Sequence, residues 1–516
     1  MEKLKRKIFF WSLVAIFLVV APIIVMNAWG YRFDFQHGVF VHSGTITLKT
    51  NPQNFNVYID GEPEPSKQTD RINSSNNITG LLPKSYDLTV SADGFQTWRK
   101  NTEVHSGIST EFWNILLVKN NYSHTPYATG GIDKFFISPK NDFIAFVKSD
   151  DSGSTIKIIS INDKTISSAF SFPGWQFTDD SREENIEWSP NGDYISIPLK
   201  RTLAATPEKV ASEKITTAKD SAPATETKTE NAYFIGNPDN KNILNLNDIV
   251  NKNDLKNVRW DPRDKNYLFF LSEYSLYRAN INDQTDPTRI ADNVSSFDIS
   301  KTGIYYTQMP TELVFRTNLD GKSGLTQITN NFPEELSSPN NKLIVFDDMR
   351  IAFLNTNKNL YIFNRGDLNT YFRKLGSNVS GMQFSNDGKK LLFWTDNGIS
   401  TYFLRQWSVQ PERFENEVQD ITRYSDQIRN VQWFKDYEHV IFNTGQYTKI
   451  IELDARDHRV SMDLLKTNTA SPSIVYNNYL ERLFFTDSEK NASDIYSITF
   501  PEPGGFLGLF PPPAQQ

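Results

Sequence analysis

The sequence predicts an all-β chain behind a single N-terminal helix. Three observations say so: an apolar run near the start, short alternating strands after it, and a strand–turn–strand unit that recurs to the end. The 516 residues carry 54 basic and 61 acidic side chains, a net charge of −7 that argues against a nucleic-acid-binding domain. At 38% apolar and 13% aromatic the chain has material for packed cores in roughly two to four domains. The absence of cysteine excludes disulfides, thiolate metal sites, cysteine nucleophiles and an acylated lipoprotein cysteine.

Residues 1–7 hold Lys3, Lys5, Arg6 and Lys7 against one acid, and residues 8–26 contain only Ser12 as a polar residue. At helical rise this run covers about 28 Å, a membrane-spanning length. Trp11 stands near one end, and Trp29 and Tyr31 lie where an interfacial aromatic belt is expected. Pro22 is compatible with a kinked span. The basic tail 1–7 is expected to stay cytoplasmic. In the juxtamembrane segment 27–42 Arg32 is balanced by Asp34, so everything after the span is expected outside, at the cell membrane. Met26-Asn27-Ala28 loosely resembles a signal-cleavage site. An uncleaved anchor is nevertheless the expectation, because the run exceeds the roughly 7 to 15 residues of a signal h-region and Met fits poorly before a cleavage point.

From Ser43 the period becomes two. Thr45-Ile46-Thr47-Leu48 and Phe55-Asn56-Val57-Tyr58-Ile59 alternate, with Asn51-Pro52 and Asp60-Gly61 as turns. Residues 70–77 read as a polar loop, Tyr86 to Val90 as a strand before Asp93-Gly94-Phe95, and Phe112 to Leu117 as the closing strand, with Trp98 as a buried anchor rather than a sugar platform. In this succession, residues 43–118 resemble the PEGA domain, a small β-sandwich-like module of bacterial and archaeal surface proteins. Lys84-Ser85 stands where that family has a glycine, so the turn there is expected to differ.

Beyond Gly130 a unit recurs: apolar strand, Ser-Pro-Asn-Gly-like turn, strongly apolar strand, third strand. Its clearest copies are Phe135-Phe136-Ile137-Ser138-Pro139, Ile186-Glu187-Trp188-Ser189-Pro190-Asn191-Gly192 and Val258-Arg259-Trp260-Asp261-Pro262. Weaker ones lie at Phe297 to Gly303, Ser338-Pro339-Asn340-Asn341, Met382 to Gly388, Val431 to Lys435 and Ile474 to Asn478. In the copy after Ser338 three stretches read as strands, Leu343 to Phe346, Ile351 to Leu354 and Leu360 to Phe363, so its register stays open. Anchored at 139, 190, 262, 301, 339, 386, 435 and 478, the copies are spaced 51, 72, 39, 38, 47, 49 and 43 residues apart.

The long interval contains residues 201–231, rich in Ala, Thr, Lys and Glu, which bury too little apolar surface to order themselves and are expected to form a disordered insertion. Without it the spacing falls near the roughly 40 to 45 residues of a four-stranded propeller blade. Residues 124–500, within a propeller domain expected over 119–500, resemble the WD40-like β-propeller repeats of the periplasmic Tol-system propeller and of prolyl-oligopeptidase-type proteins. The eight copies predict an eight-bladed ring, or seven blades if the fifth copy is absorbed by a neighbour. Trp188, Trp260 and Trp433 are expected to pack between blades. The strand missing from the last blade is expected to come from residues 122–129, which closes the ring and sets the PEGA-like module beside that blade.

No catalytic, cofactor-binding or metal-binding residue is assigned. His37, His42, His105, His124, His439 and His458 sit singly, without zinc-site spacing. No Gly-x-Ser-x-Gly elbow, phosphate-binding loop or Rossmann fingerprint is present. Ser385-Asn386-Asp387-Gly388 only superficially matches a sialidase Asp box, and Asp179-Asp180 and Asp347-Asp348 read as solvated turns rather than calcium or acid/base pairs. The tail 501–516 is Pro/Gly-rich and too short to span a membrane. The expectation is a non-enzymatic scaffold of the cell envelope that binds envelope proteins or cell-surface polysaccharide and no nucleic acid. The alternative is a carbohydrate-active propeller, lectin-like or glycoside-cleaving; carboxylates converging with exposed aromatics at the channel mouth would favour it.

Overall fold

The computed structural model describes residues 2–64, 68–70, 75–178, 185–203, 228–283, 286–331, 342–488 and 493–501. The apolar run forms one helix, Glu2–Ala28, with Pro22 inside it. It is long and apolar enough to cross a membrane, as an anchor or a signal sequence does, and none of its most apolar stretch is buried against the protein. A two-stranded hairpin follows, Tyr31–Asp34 against Val39–His42, in the segment that the sequence had left without structure.

The next unit consists of two four-stranded sheets around one core. Gly44–Asn51 pairs in parallel with Ser109–Leu116 and antiparallel with Ser75–Leu81, which carries Gln68–Asp70 at its edge. Asn56–Ile59, Ser85–Ser91 and Trp98–Glu103 form most of the second sheet. The expected polar loop 70–77 is thus corrected: Ser75 and Asn76 are buried strand residues, their polar side chains having hidden the alternation.

Eight further four-stranded sheets follow, with the first strand of blade two split into Gln176–Phe177 and Glu187–Trp188. Each blade runs outward from a first strand at the centre. Eight cores form between neighbours: blades one and two share Ile156, Phe170 and Trp188, for example, and blades six and seven share Leu392, Trp433 and Phe442. The last joint lies between blades eight and one, where Phe484 and Ile495 meet Tyr127, Phe135 and Phe146. The ring closes as expected: Thr125–Ala128 pairs antiparallel with Ser493–Thr499 and becomes the outer strand of blade eight.

The repeated turn has a physical cause. The hydroxyls of Ser138, Ser189 and Ser385 accept hydrogen bonds from the backbone N–H of Phe143, Tyr194 and Lys390, each at 3.0 Å. Three residues after each serine, Asn141, Gly192 and Gly388 have φ of 61°, 77° and 67°, the left-handed region that Gly and Asn tolerate. The indole N–H groups of Trp260 and Trp433 donate to the carbonyls of Glu187 and Gln383 in the preceding blade, at 3.1 and 3.2 Å.

In the fifth blade the first-to-second turn falls at Asp348-Met349, between Lys342–Asp347 and Arg350–Leu354. The Ser338 to Asn341 anchor is therefore not that turn, and it lies outside the described residues, as do Asp179-Asp180 and residues 502–516. The insertion expected over 201–231 is trimmed at both ends. Ile195–Leu203 and Lys228–Gly236 stay paired as far as Leu203 opposite Lys228, while residues 204–227 lie outside the described residues.

Candidate functional site

The third-to-fourth-strand connections and the first-to-second-strand turns share one face of the ring. The small domain docks on that face and on the outer edge, chiefly at blade seven rather than the last blade. Its core is continuous with those of blades seven and eight, bringing Trp98, Phe112 and Leu117 together with Phe434, Met462 and Phe500. Lys100, fully buried, donates from Nζ to the carbonyls of Asp454, Arg456 and His458 at 2.8, 2.9 and 2.6 Å, and pairs with Glu452 Oε1 at 2.7 Å. Trp98 Nε1 donates to the other Glu452 oxygen at 3.0 Å. The Gln410 amide imitates a neighbouring strand along the open edge of Ser109–Leu116, donating to Ser109 O at 2.9 Å and accepting from Glu111 N at 3.0 Å.

The opposite face carries the connections between blades and the second-to-third-strand turns. Here a cavity of about 900 Å³ opens between blades two and five, lined by Leu199, Tyr233, Lys256, Asn257, Ser295 and Lys342 among others. Strand starts position these groups: Lys256 and Asn257 begin the first strand of blade three, Ser295 that of blade four and Lys342 that of blade five. Leu203 and Thr229 bring the base of the insertion to the same rim.

The lining is electrostatically mixed, and its carboxylates are committed. Glu230 pairs with Arg201 Nε at 2.6 Å, and that guanidinium stacks 4.4 Å over the Trp175 ring. Asp254 accepts from the Ser272 hydroxyl and, at 2.9 Å, from Glu273 N. The aromatic lining residues Tyr233 and Phe297 are buried. Behind the rim, burial raises the pKa of Glu312, only partly offset by the hydroxyls of Ser295 and Thr307. Two buried polar atoms of lining residues, Asn257 Oδ1 and Thr178 Oγ1, have no hydrogen-bond partner.

The channel wall is built by the same first strands. Arg259 bridges Glu187 and Asp298 at 3.1 Å each, and Asp298 Oδ2 accepts from Val345 N at 2.9 Å, which couples blades two to five. Gln383 and Gln432 do the same for later blades, accepting from Trp433 N and Tyr476 N at 3.3 and 2.8 Å. These polar side chains fix blade register.

The residues that the sequence singled out are not brought together. His37 bonds Asp34, His439 bonds Asp436 and His458 bonds Asp457, while His124 packs on Phe485 and His105 lies 3.9 Å from Glu103. Among the described residues no cluster of His, Asp and Glu is placed to hold a metal. Asp387 serves its own turn, accepting from Ser385 Oγ and Lys389 N. Asp347 pairs with Arg350, and Asp348 takes the Tyr305 hydroxyl and Arg316. The cavity residues carry no motif, so composition and spacing could not find them; only the repeat phase places them at strand starts.

No family model matches the chain, and no curated protein matches it. Solved structures similar to it include the propeller of Dos1, 9% identical with a TM-score of 0.44, covering 73% of this chain and 95% of that one. The β-propeller domain of Cps50 (Swd1) from Myceliophteria thermophila is 12% identical with a TM-score of 0.36, over 73% of this chain and 100% of that one. Dipeptidyl peptidase 4 of Porphyromonas gingivalis is 9% identical with a TM-score of 0.41, over 70% of this chain and 57% of that one.

Proposed function

We propose that this chain is a single-pass, membrane-anchored extracytoplasmic protein whose propeller is a non-catalytic protein-interaction scaffold of the cell envelope. The observation that carries this reading is the joint. A core continuous from the small domain into blades seven and eight, locked by Lys100, makes spacer and ring one body. A rigid mount keeps the cavity face turned away from the docked domain and constant in orientation, which suits holding a partner. The small domain is the PEGA-like spacer between anchor and ring in this reading, with the basic residues 1–7 cytoplasmic.

The cavity supports a scaffold over a glycoside-cleaving site. Its carboxylates are bonded and its aromatics buried, whereas sugar chemistry asks for a free carboxyl pair beside exposed rings. The test is photo-cross-linking from the cavity rim in intact cells, with a photoreactive residue at Lys256 or Lys342, compared with one at Lys435 on the other face. A discrete protein adduct from the rim sites alone is expected. Adducts to polysaccharide only, or glycan cleavage by the purified protein, would overturn the reading.

A further inference from the structure

The hairpin after the helix presents an aromatic face whose Phe33, Phe35 and Phe40 end nothing in the described fold covers. Tyr31 stands opposite His42, and Phe33 opposite Phe40, so these four side chains share one face. Their rings pack together, with Phe33 5.1 Å from Phe40 and 5.0 Å from Phe35 at the tip. Phe35 is 88% exposed, and Phe33 and Phe40 are exposed as well. The other face carries Arg32, whose guanidinium lies against Gly80 of the small domain. At the base the His42 ring lies against Gly107, so the hairpin is held from behind and at its base and is bare at the Phe33, Phe35 and Phe40 end.

It is also fixed to the end of the helix. Arg32 Nη1 donates to Asn27 O at 3.1 Å, Gly30 N to Asn27 O at 3.0 Å, and Ser43 Oγ to Gly30 O at 2.7 Å. Only Trp29 and Gly30 separate the helix, which ends at Ala28, from the first strand. A rigid aromatic face this close to an apolar helix end lies at the level of the lipid headgroups once the helix spans the bilayer, where amphipathic and aromatic side chains are favoured.

We propose that this hairpin is a second membrane contact, seating Phe33, Phe35 and Phe40 in the interfacial layer of the outer leaflet beside the helix. The proposal rests on reading the helix as an uncleaved span. A single helix leaves the ectodomain free to tilt about one point. A lateral hairpin contact makes a second point, and through the docked small domain it fixes the tilt of the whole ring. The occupant is lipid rather than protein because exposed apolar side chains continue from the bare helix through Trp29 to Phe33, Phe35 and Phe40.

The chain contains no cysteine, so single-cysteine variants of the full-length protein take one fluorophore each. Val19→Cys reports on the span, Phe35→Cys on the hairpin and Tyr479→Cys on the exposed propeller surface. Each is labelled with an environment-sensitive dye and reconstituted in phosphatidylcholine–phosphatidylglycerol vesicles carrying spin-labelled lipid. Phe33 and Phe40 remain in the hairpin variant. The expected result is quenching of Val19→Cys by mid-chain labels, and quenching of Phe35→Cys by headgroup-level labels at least about twofold stronger than of Tyr479→Cys. Quenching at Val19→Cys without quenching at Phe35→Cys overturns the hairpin contact and leaves the span standing. No quenching at either site overturns both. A blue-shifted but unquenched dye at Phe35→Cys shows that protein, a second copy or a partner, covers the face, which also overturns the proposal.

Discussion

Lys100 holds two domains together with one ammonium. Its three carbonyl acceptors all come from the turn of blade seven, residues that the chain reaches some three hundred and fifty positions later. Lys100→Met keeps the volume of the stem and removes the charge, leaving Glu452 buried without its cation. Breaking such a pair from one side costs about 3–5 kcal/mol. Chemical denaturation is expected to show that loss, and Lys100→Met combined with Glu452→Gln is expected to recover part of it. A double variant no better than the single one would show that the carbonyl contacts, and not the ion pair, carry the joint.

Glu312 makes a pH-dependent counterpart. Burial raises its folded pKa above the ordinary carboxylate value, so the folded state binds more protons than the unfolded one through that window. Stability contributed by the protonated carboxyl is therefore present below the unfolded pKa and lost as pH rises through the folded pKa. Glu312→Gln removes this titration. Its melting temperature relative to the native chain is expected to rise as pH increases above the ordinary carboxylate range, and a difference independent of pH would exclude the effect.

Among the elements, the repeated turn is the one most fully legible in the sequence, and the reason is local. A buried serine hydroxyl and a left-handed residue three positions on are both contained within a few residues of chain. Ser385→Ala removes the hydroxyl to which the Lys390 N–H donates and is expected to cost about 1–2 kcal/mol in a denaturant melt. A change below a few tenths would mean that the hydroxyl is not needed for the turn.

Elements without such local signals were missed. The hairpin has two strands of four residues whose apolar side chains face outward, so no half-buried alternation marks it. Ser75–Leu81 hid its burial behind Ser and Asn. The cavity was illegible for a different reason. Its walls come from Leu199, Asn257, Ser295 and Lys342, four points in four different blades that no window of sequence joins.

At the scale of the molecule, a propeller is a closed chain of neighbour contacts, so its stability depends on the one joint that links both ends of the domain. That joint is concentrated at Tyr127. Its ring is buried and packs 5.4 Å from Phe484, and its hydroxyl accepts from Arg482 Nη1 at 2.6 Å. The strand around it supplies three paired positions, Thr125, Pro126 and Ala128, and Gly130 N donates to Asp494 at 2.8 Å just beyond. Without this strand, Ser493–Thr499 becomes an open edge and the core between blades eight and one loses Tyr127 and Ala128. Tyr127→Ala in the full chain is expected to cost about 3–5 kcal/mol, the usual penalty for a buried aromatic. Starting the chain at Ile132 instead of Asn120 is expected to lower the unfolding midpoint further and to promote self-association through the bared edge, read by sedimentation. A midpoint unchanged by either alteration would mean that the ring is held by its blade-to-blade cores alone, with the entering strand adding nothing to closure.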